Sequence, residues 1–146
     1  MIDLTEELQE RIDLIKHKLK FIEQKPAVAC IASLDSLTLA DSTVAELINI
    51  AGGASESQFN DPDIIIVTPT SYAIPQTMQQ MDRLLQLPGF NDLKAAKNNR
   101  VYIADGNFDI TDPDQLVTLT EVLGEIINPK QFIFGYEGDK WIKFGL

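Results

Sequence analysis

Histidine and cysteine are almost absent from this sequence: each occurs once, as His17 and Cys30, in 146 residues. A single cysteine excludes an internal disulfide, and its apolar neighbours in "AVACIASL" favour a buried side chain over a reactive thiol. His17 has no second histidine or cysteine with which to hold a metal ion. Ser33, Ser36 and Ser71 have no histidine base in any recognisable arrangement, so serine hydrolase chemistry is unsupported. The sequence therefore predicts no metal and no cofactor.

Long apolar runs and excess positive charge are also missing. No apolar stretch approaches the roughly 18 to 20 residues of a membrane span, which argues against membrane insertion. The start, "MIDLTEELQERIDLIK", lacks the apolar core of a secretory signal. We therefore expect a cytoplasmic protein as the chain stands, or a periplasmic or cell-surface one if it is a piece of a longer exported protein. With 22 acidic and 12 basic residues the net charge is −10, which argues against nucleic acid as a partner.

The first 25 residues have the pattern of one long helix. The spacing predicts about six turns, with Asp3 and Glu6 as a capping pair and Pro26 as the stop. One narrow apolar stripe runs along it, at Leu4, Leu8, Ile12, Ile15, Leu19 and Ile22. A seam this narrow favours contact with a partner, especially a second copy of the chain, although packing on the body of the fold would also explain it.

Three apolar strand patterns follow, "AVACIASL" at 27–34, "DIIIVTP" at 63–69 and "RVYIA" at 100–104. Continuous apolar runs of this length are typical of strands buried on both faces of a parallel sheet. Helix patterns separate them, and the tail "FIFGYEGDKWIKFGL" predicts a β-hairpin. The alternation predicts a single α/β domain over residues 1–146, a three-layer sandwich with a mostly parallel sheet.

The helix ends carry recognisable signals. Thr43 and Glu46 are spaced as a capping box for a helix around 44–51, and Pro75 suits the first turn of a helix through Leu85. The last helix, "DPDQLVTLTEVLGEIINP", has Asp112 as a fitting N-cap and proline directly after it. We expect these three helices to cover the sheet.

The loops that follow the three strands form the candidate site. Ligands gather beyond the carboxyl ends of parallel strands, and here those ends lead into "LDSL" at 34–37, "TPTSY" at 68–72 and "DGNFD" at 105–109. The loops offer hydroxyls, an amide, rings and carboxylates, but no pair of groups that defines a reaction. The run "DGNFDITDPDQL" resembles a calcium loop only superficially, because Ile110 replaces the turn glycine and Leu116 the bidentate glutamate. We interpret it as a strand end followed by a helix cap.

Four phrases occur in the order and spacing of one family: "STVAELINIAGG", "DPDIIIVTP", "PGFNDLKAAKNNRVYIADGN" and "DPDQLVTLTEVLGEIINPKQF". Over residues 27–132 the chain resembles the C-terminal lobe of ABC-importer substrate-binding proteins for cobalamin, iron siderophores or haem. In that family a long helix joins two α/β lobes around a ligand cleft, so the resemblance implies that residues 3–25 are the connecting helix. It also implies ligand contacts at Asp35, Ser36, Thr70, Ser71, Tyr72, Asn107 and Phe108.

Partners are implied by the same resemblance. Family members use a carboxylate near the start of the helix after the first strand to engage the permease, and Asp41 occupies that region; a helix-start residue favoured by the dipole is the alternative. One lobe supplies one wall of a cleft, so a second copy, docked through the stripe at Leu8, Ile12, Ile15 and Leu19, or another polypeptide would supply the other. We expect a non-enzymatic binding module. An interaction protein that kept the fold and lost the ligand is the alternative, and a small enzyme is the least favoured.

Overall fold

Helices and strands alternate along the part of the chain that the computed structural model describes, residues 4–146. No helix in this part is both long enough and apolar enough to cross a membrane. The elements in chain order are α1 (Glu6–Lys18), β1 (Ala27–Ser33), β2 (Thr38–Leu39), α2 (Ser42–Ile50), β3 (Ala54–Ser55), β4 (Ile64–Val67), α3 (Ile74–Met78), α4 (Asp82–Leu85), a single 3₁₀ turn (Phe90–Asp92), α5 (Lys94–Lys97), β5 (Val101–Ala104), α6 (Pro113–Ile127) and β6 (Trp141–Lys143).

Three parallel strands form the middle of the sheet. β4 lies between β1 and β5, with Cys30 opposite Ile66 on one side and Ile66 opposite Tyr102 on the other. Every residue of β4 and β5 is buried, as expected for strands covered on both faces. The predicted α/β fold with a mostly parallel sheet is confirmed.

Helices cover both faces of this sheet. Alternate residues of β1 point to opposite faces, so Val28 and Cys30 pack with α2 and α6, whereas Ala29 and Ile31 pack with the segment from α3 to α5. The predicted three-layer arrangement follows from this division. It leaves the ends of the strands as the places where loops meet solvent.

Short edge strands complete the sheet. β2 runs antiparallel to β1 at its carboxyl end, β3 runs parallel to it at its amino end, and β6 runs antiparallel to β5. The predicted C-terminal hairpin forms only in part: Glu137 makes a single bridge to Trp141 across the turn, and in the tail only Trp141–Lys143 is a strand, whose partner is β5. The first half of the tail instead donates its backbone N–H groups to a carboxylate of α6.

That carboxylate belongs to Glu125, one of two buried glutamates on α6. Glu125 Oε2 accepts hydrogen bonds from the backbone N–H groups of residues 134–136, including one of 2.8 Å from Gly135, and Oε1 accepts one of 2.7 Å from Trp141 Nε1. A buried carboxylate is tolerated when donors surround it in this way. Glu125 therefore holds the tail against α6.

Glu121, one turn earlier, holds α1. It forms an ion pair with Arg11 and accepts a 2.9 Å hydrogen bond from the Tyr136 hydroxyl. Burial, together with the hydrogen bond to Glu121, raises the pKa of Tyr136, so the phenol stays protonated and donates. Helix α1 thus lies on α6, where Leu8 and Ile12 pack against Val117.

The predicted long first helix and its partner surface need correction. α1 has 13 residues and ends at Lys18, and Thr5 caps its start by accepting a hydrogen bond from Leu8 N; Asp3 lies outside the described residues. Leu8, Ile12 and Ile15 are 5%, 3% and 0% exposed, so their use as a docking stripe for a second copy is wrong. Leu19 is half-buried beside Gly52, where an added Cβ would lie 2.9 Å from Leu19 Cδ1.

Helix starts were predicted with mixed success. Asp112 and Pro113 begin α6 as predicted, and Asp112 accepts a hydrogen bond from Asp114 N. Helix α2 is capped by Asp41, not by the predicted Thr43. The helix predicted through Leu85 breaks after Met78, where bonds to the third preceding residue tighten the chain. Met78 is exposed at this break, whereas Met81 and Leu84 are buried.

Replacing Ile12 by alanine tests the position of α1. We expect the free energy of unfolding to fall by about 2 to 4 kcal/mol, because the side chain is buried against α6 within one chain. Urea unfolding measures the loss, and light scattering measures the mass. Leu14→Ala, at an exposed position of the same helix, should cost under about 0.5 kcal/mol. A lower mass at unchanged stability would instead favour the partner stripe.

Glu125→Ala tests the attachment of the tail. The change leaves Trp141 Nε1 and the N–H groups of residues 134–136 without their acceptor, so we expect stability to fall by about 3 kcal/mol. Trp141 is the only tryptophan, and its fluorescence should shift to longer wavelength as it becomes exposed. Glu137→Ala, at an exposed position, is the control. Equal stability and unshifted emission in both variants would contradict the assignment.

Candidate functional site

The three loops after β1, β4 and β5 lie at one edge of the sheet, because these neighbouring strands are parallel. We call loops 34–37, 68–72 and 105–109 the rim. Two of them are joined directly: Ser71 N donates to Gly106 O at 2.9 Å, and Gly106 N donates to Tyr72 O at 2.8 Å. A third bond, from Thr68 Oγ1 to Asp105 O, measures 3.2 Å. The prediction that the loops share one edge is confirmed.

Gly106 explains why β5 ends in Asp-Gly. A Cβ at this position would lie 1.8 Å from the carbonyl oxygen of Pro69, which is far inside van der Waals contact. Only glycine therefore lets the two loops approach closely enough for their paired hydrogen bonds. The opposing loop has its own constraint, since Ser71 has a left-handed backbone with φ of 68°.

The side chains of the first two loops differ in their exposure to solvent and in whether another side chain already binds them. Asp35 and Ser36 are exposed, but Asp35 forms an ion pair with Arg83 of α4, and Ser36 Oγ lies 2.5 Å from Thr38 Oγ1. Thr70 and Ser71 are exposed and Tyr72 is half-buried. Sequence reasoning missed Arg83, because only the packing of α4 against the sheet brings it to the rim.

The third loop is folded on itself. Asp105 Oδ1 accepts hydrogen bonds of 3.0 Å from both the backbone N and the Nδ2 of Asn107. Asp109 Oδ1 accepts from Thr111, and these bonds lower the pKa of Asp109. The carboxylates of Asp105 and Asp109 therefore accept hydrogen bonds from within the same segment of chain. This agrees with the interpretation of the run as a strand end followed by a helix cap. Phe108 is half-buried, with Lys140 Nζ 6.0 Å from its ring centre.

A cavity of about 250 Å³ lies under the rim, between the sheet and helices α2 and α6. The lining includes Cys30, where burial raises the pKa of the thiol to about 12, so that the thiol stays protonated at neutral pH. A smaller cavity of about 120 Å³ lies between the first two loops, beside Tyr72. Thr70 lines both, which places it between the two faces of the sheet.

Asp41 also borders the larger cavity, at the start of α2. Its Oδ1 accepts hydrogen bonds from Thr43 N at 3.0 Å and Val44 N at 3.3 Å, so its interpretation as a helix-start residue is confirmed. The side chain is exposed. A role toward a permease remains a prediction.

Few groups at this edge of the sheet are suited to acid–base or nucleophilic chemistry. Within residues 4–146 no three His, Cys, Asp or Glu side chains are grouped so as to hold a metal ion. The exposed groups are hydroxyls, one amide and carboxylates, and the half-buried ones include two aromatic rings, a hydroxyl and the carboxylate of Asp105. Such a surface suits hydrogen bonding and stacking with an organic ligand.

The sequence matches no protein-family model and no curated protein, but solved structures share its fold. They include an ABC transporter substrate-binding protein from Listeria monocytogenes, with a TM-score of 0.68 at 19% identity over 84% of this chain and 55% of that one. The TroA-like periplasmic binding protein FepB from Veillonella parvula gives a TM-score of 0.64 at 17% identity over 86% of this chain and 46% of that one. This chain has the fold of one lobe of an ABC-importer substrate-binding protein.

A third such structure is IsdE of S. aureus complexed with heme, with a TM-score of 0.57 at 18% identity over 84% of this chain and 55% of that one. The chain thus spans about half the length of the structures that it matches. The lobe resemblance stated from the sequence is confirmed at the level of the fold.

Gly106→Ala tests the joining of the loops. An added Cβ would force Pro69 away, so we expect a loss of about 2 to 3 kcal/mol in the free energy of unfolding. The amide resonances of residues 70–72 should also move in the NMR spectrum. Gly145→Ala, where no atom lies within 4 Å of an added Cβ, is the control. Unchanged stability and spectra would show that the loops are not in close contact.

Proposed function

We propose that this chain is a non-enzymatic ligand-binding lobe of the ABC-importer type, and that its ligand is a ferric siderophore or haem, with cobalamin as the third candidate. The observation that supports this most directly is the meeting of three exit loops at one edge of the sheet, two of them joined by hydrogen bonds, on a fold shared with such binding proteins. The ligand contacts proposed on the rim are Asp35, Ser36, Thr70, Ser71, Tyr72, Asn107 and Phe108.

The rim forms only one wall of a ligand cleft, so we propose that a second protein surface forms the other wall. A second copy cannot dock through the stripe of α1, because that stripe is buried, and it would have to face the rim itself. Two rims face to face would bring Asp41, Asp105 and Asp109 of each copy together, and like charges across an interface oppose association. Another polypeptide or a further segment of a longer protein is therefore the better proposal than a homodimer.

Location and transport partner follow from the same proposal. Solved structures with this fold are described as periplasmic binding proteins, so we place the lobe outside the cytoplasm when it is part of an exported protein. Asp41 is exposed at the start of α2, where its carboxylate could reach basic residues of a permease.

A binding titration tests the proposed ligands. With a ferric hydroxamate siderophore, haem or cobalamin at 100 times its dissociation constant, we expect about 2.7 kcal/mol of added stability, seen as a raised melting temperature. Asn107→Ala should weaken binding about fivefold by removing one hydrogen bond. Asn91→Ala, exposed on the 3₁₀ turn, is the matched control. If none of the three compounds stabilises the folded protein, the lobe is an interaction module without a ligand.

A further inference from the structure

We propose that the cavity under the rim binds a small organic cation, one ring or branched alkyl group that carries an ammonium group. This goes beyond the proposed function, with which it shares the rim contacts Thr70 and Phe108 and the exposed carboxylate of Asp41. Walls for the cavity come from β1, β5, α2 and α6 of this chain and from the loops beside them, so no second lobe is needed to close around the apolar part of the ligand.

The walls of the cavity are apolar. They include three alanines at or near the carboxyl ends of strands, where larger side chains would have filled the space, together with aliphatic side chains of the two helices. These residues are Ala32, Ala40, Ala104, Val44, Leu119 and Leu123. Binding of an apolar group is favourable because the group leaves water, and the small alanine side chains leave the space that it occupies.

The volume limits the size of the ligand. A cavity of about 150 Å³ holds benzene, so about 250 Å³ holds one ring and a short chain. Pockets for drug-sized ligands measure about 300 to 1,000 Å³, and a corrin or porphyrin is larger still. The cavity therefore serves a different molecule from the large chelates proposed for the rim.

Charge at the mouth selects a cation. Asp41 and Asp105 both line the cavity, and each uses Oδ1 to accept hydrogen bonds from its own loop. Their Oδ2 atoms accept none from the described residues, which leaves two carboxylate oxygens free for an ammonium group. No lysine or arginine lines the cavity in the part of the chain that the structure describes; Lys140 Nζ lies 6.0 Å from the ring centre of Phe108, and the positive end of α2 is already capped by Asp41.

The floor of the cavity fixes the orientation of the ligand. Cys30 is 2% exposed and keeps its proton, so no charge lies at this depth to pair with an ammonium group. The apolar end must then point inward and the ammonium group must stay at the mouth, beside the two carboxylates. The net charge of −10 adds a long-range attraction for cations.

NMR titration of the full chain tests the proposal with three molecules of similar size. We expect 2-phenylethylammonium to shift the methyl resonances of Ala32, Ala40, Val44 and Leu119 saturably, with a dissociation constant on the order of 1 mM. 2-Phenylethanol should bind more weakly, and 3-phenylpropionate at least about fivefold more weakly than the cation. Absence of saturable shifts, shifts at other surfaces only, or equal binding of cation and anion would each overturn the proposal.

Variants separate the apolar part from the charged part. Val44→Phe and Ala40→Leu fill the cavity and should each weaken cation binding at least about tenfold, whereas binding unchanged in both would overturn the site. Asp41→Asn and Asp105→Asn keep the Oδ1 acceptors but remove the charge, so the preference for the cation should fall toward unity. Asp114→Asn, exposed on α6 and outside the cavity, should leave the preference intact.

The same variants distinguish this proposal from that of the rim. Filling the cavity should leave binding of a siderophore or haem at Asn107 unaffected, because neither molecule enters a space of this size. If the large ligands fail to bind while 2-phenylethylammonium binds, the rim proposal alone is wrong. The reverse result overturns the cavity proposal alone.

Discussion

Parallel pairing of β1, β4 and β5 is the constraint from which the rest of the structure follows. Parallel neighbours cannot be joined by tight turns, so each connection must return across a face of the sheet, and helices bury those faces. The same constraint sends all three exit loops to one edge. Once there, two of the loops are joined by the two hydrogen bonds of Gly106, and the cavity lies beneath them, between the start of α2 and the middle of α6.

Helix α6 determines which surfaces stay open. Its inner face covers the sheet, and its outer face carries Glu121 and Glu125, which bind α1 and the tail. Buried carboxylates are costly unless their partners are in place, so these attachments form together with the core or not at all. Because α1 is thereby used within the chain, the rim is left as the surface on which a second wall can be built.

The sequence predicts the structural features that depend on a local pattern of residues. The apolar runs of β1, β4 and β5 and the Asp112-Pro113 start of α6 were recognisable, because each signal is complete within a few residues. The two-residue strands β2 and β3 have no such pattern. The buried stripe of α1, the single strand of the tail and the Asp35–Arg83 pair depend on residues distant in sequence, such as Glu125, whose acidic side chain gives no hint of burial.

The two proposed kinds of binding at this edge of the sheet differ in the size of the ligand. A large chelate touches the rim with one side only, and affinity requires most of a ligand's surface to be buried, so the rim is effective only with a second wall. A group the size of a single ring is surrounded within the cavity, where walls from the sheet and two helices already exist. On these proposals the lobe has one site whose affinity depends on assembly and one whose affinity does not, and Thr70 and Phe108 border both.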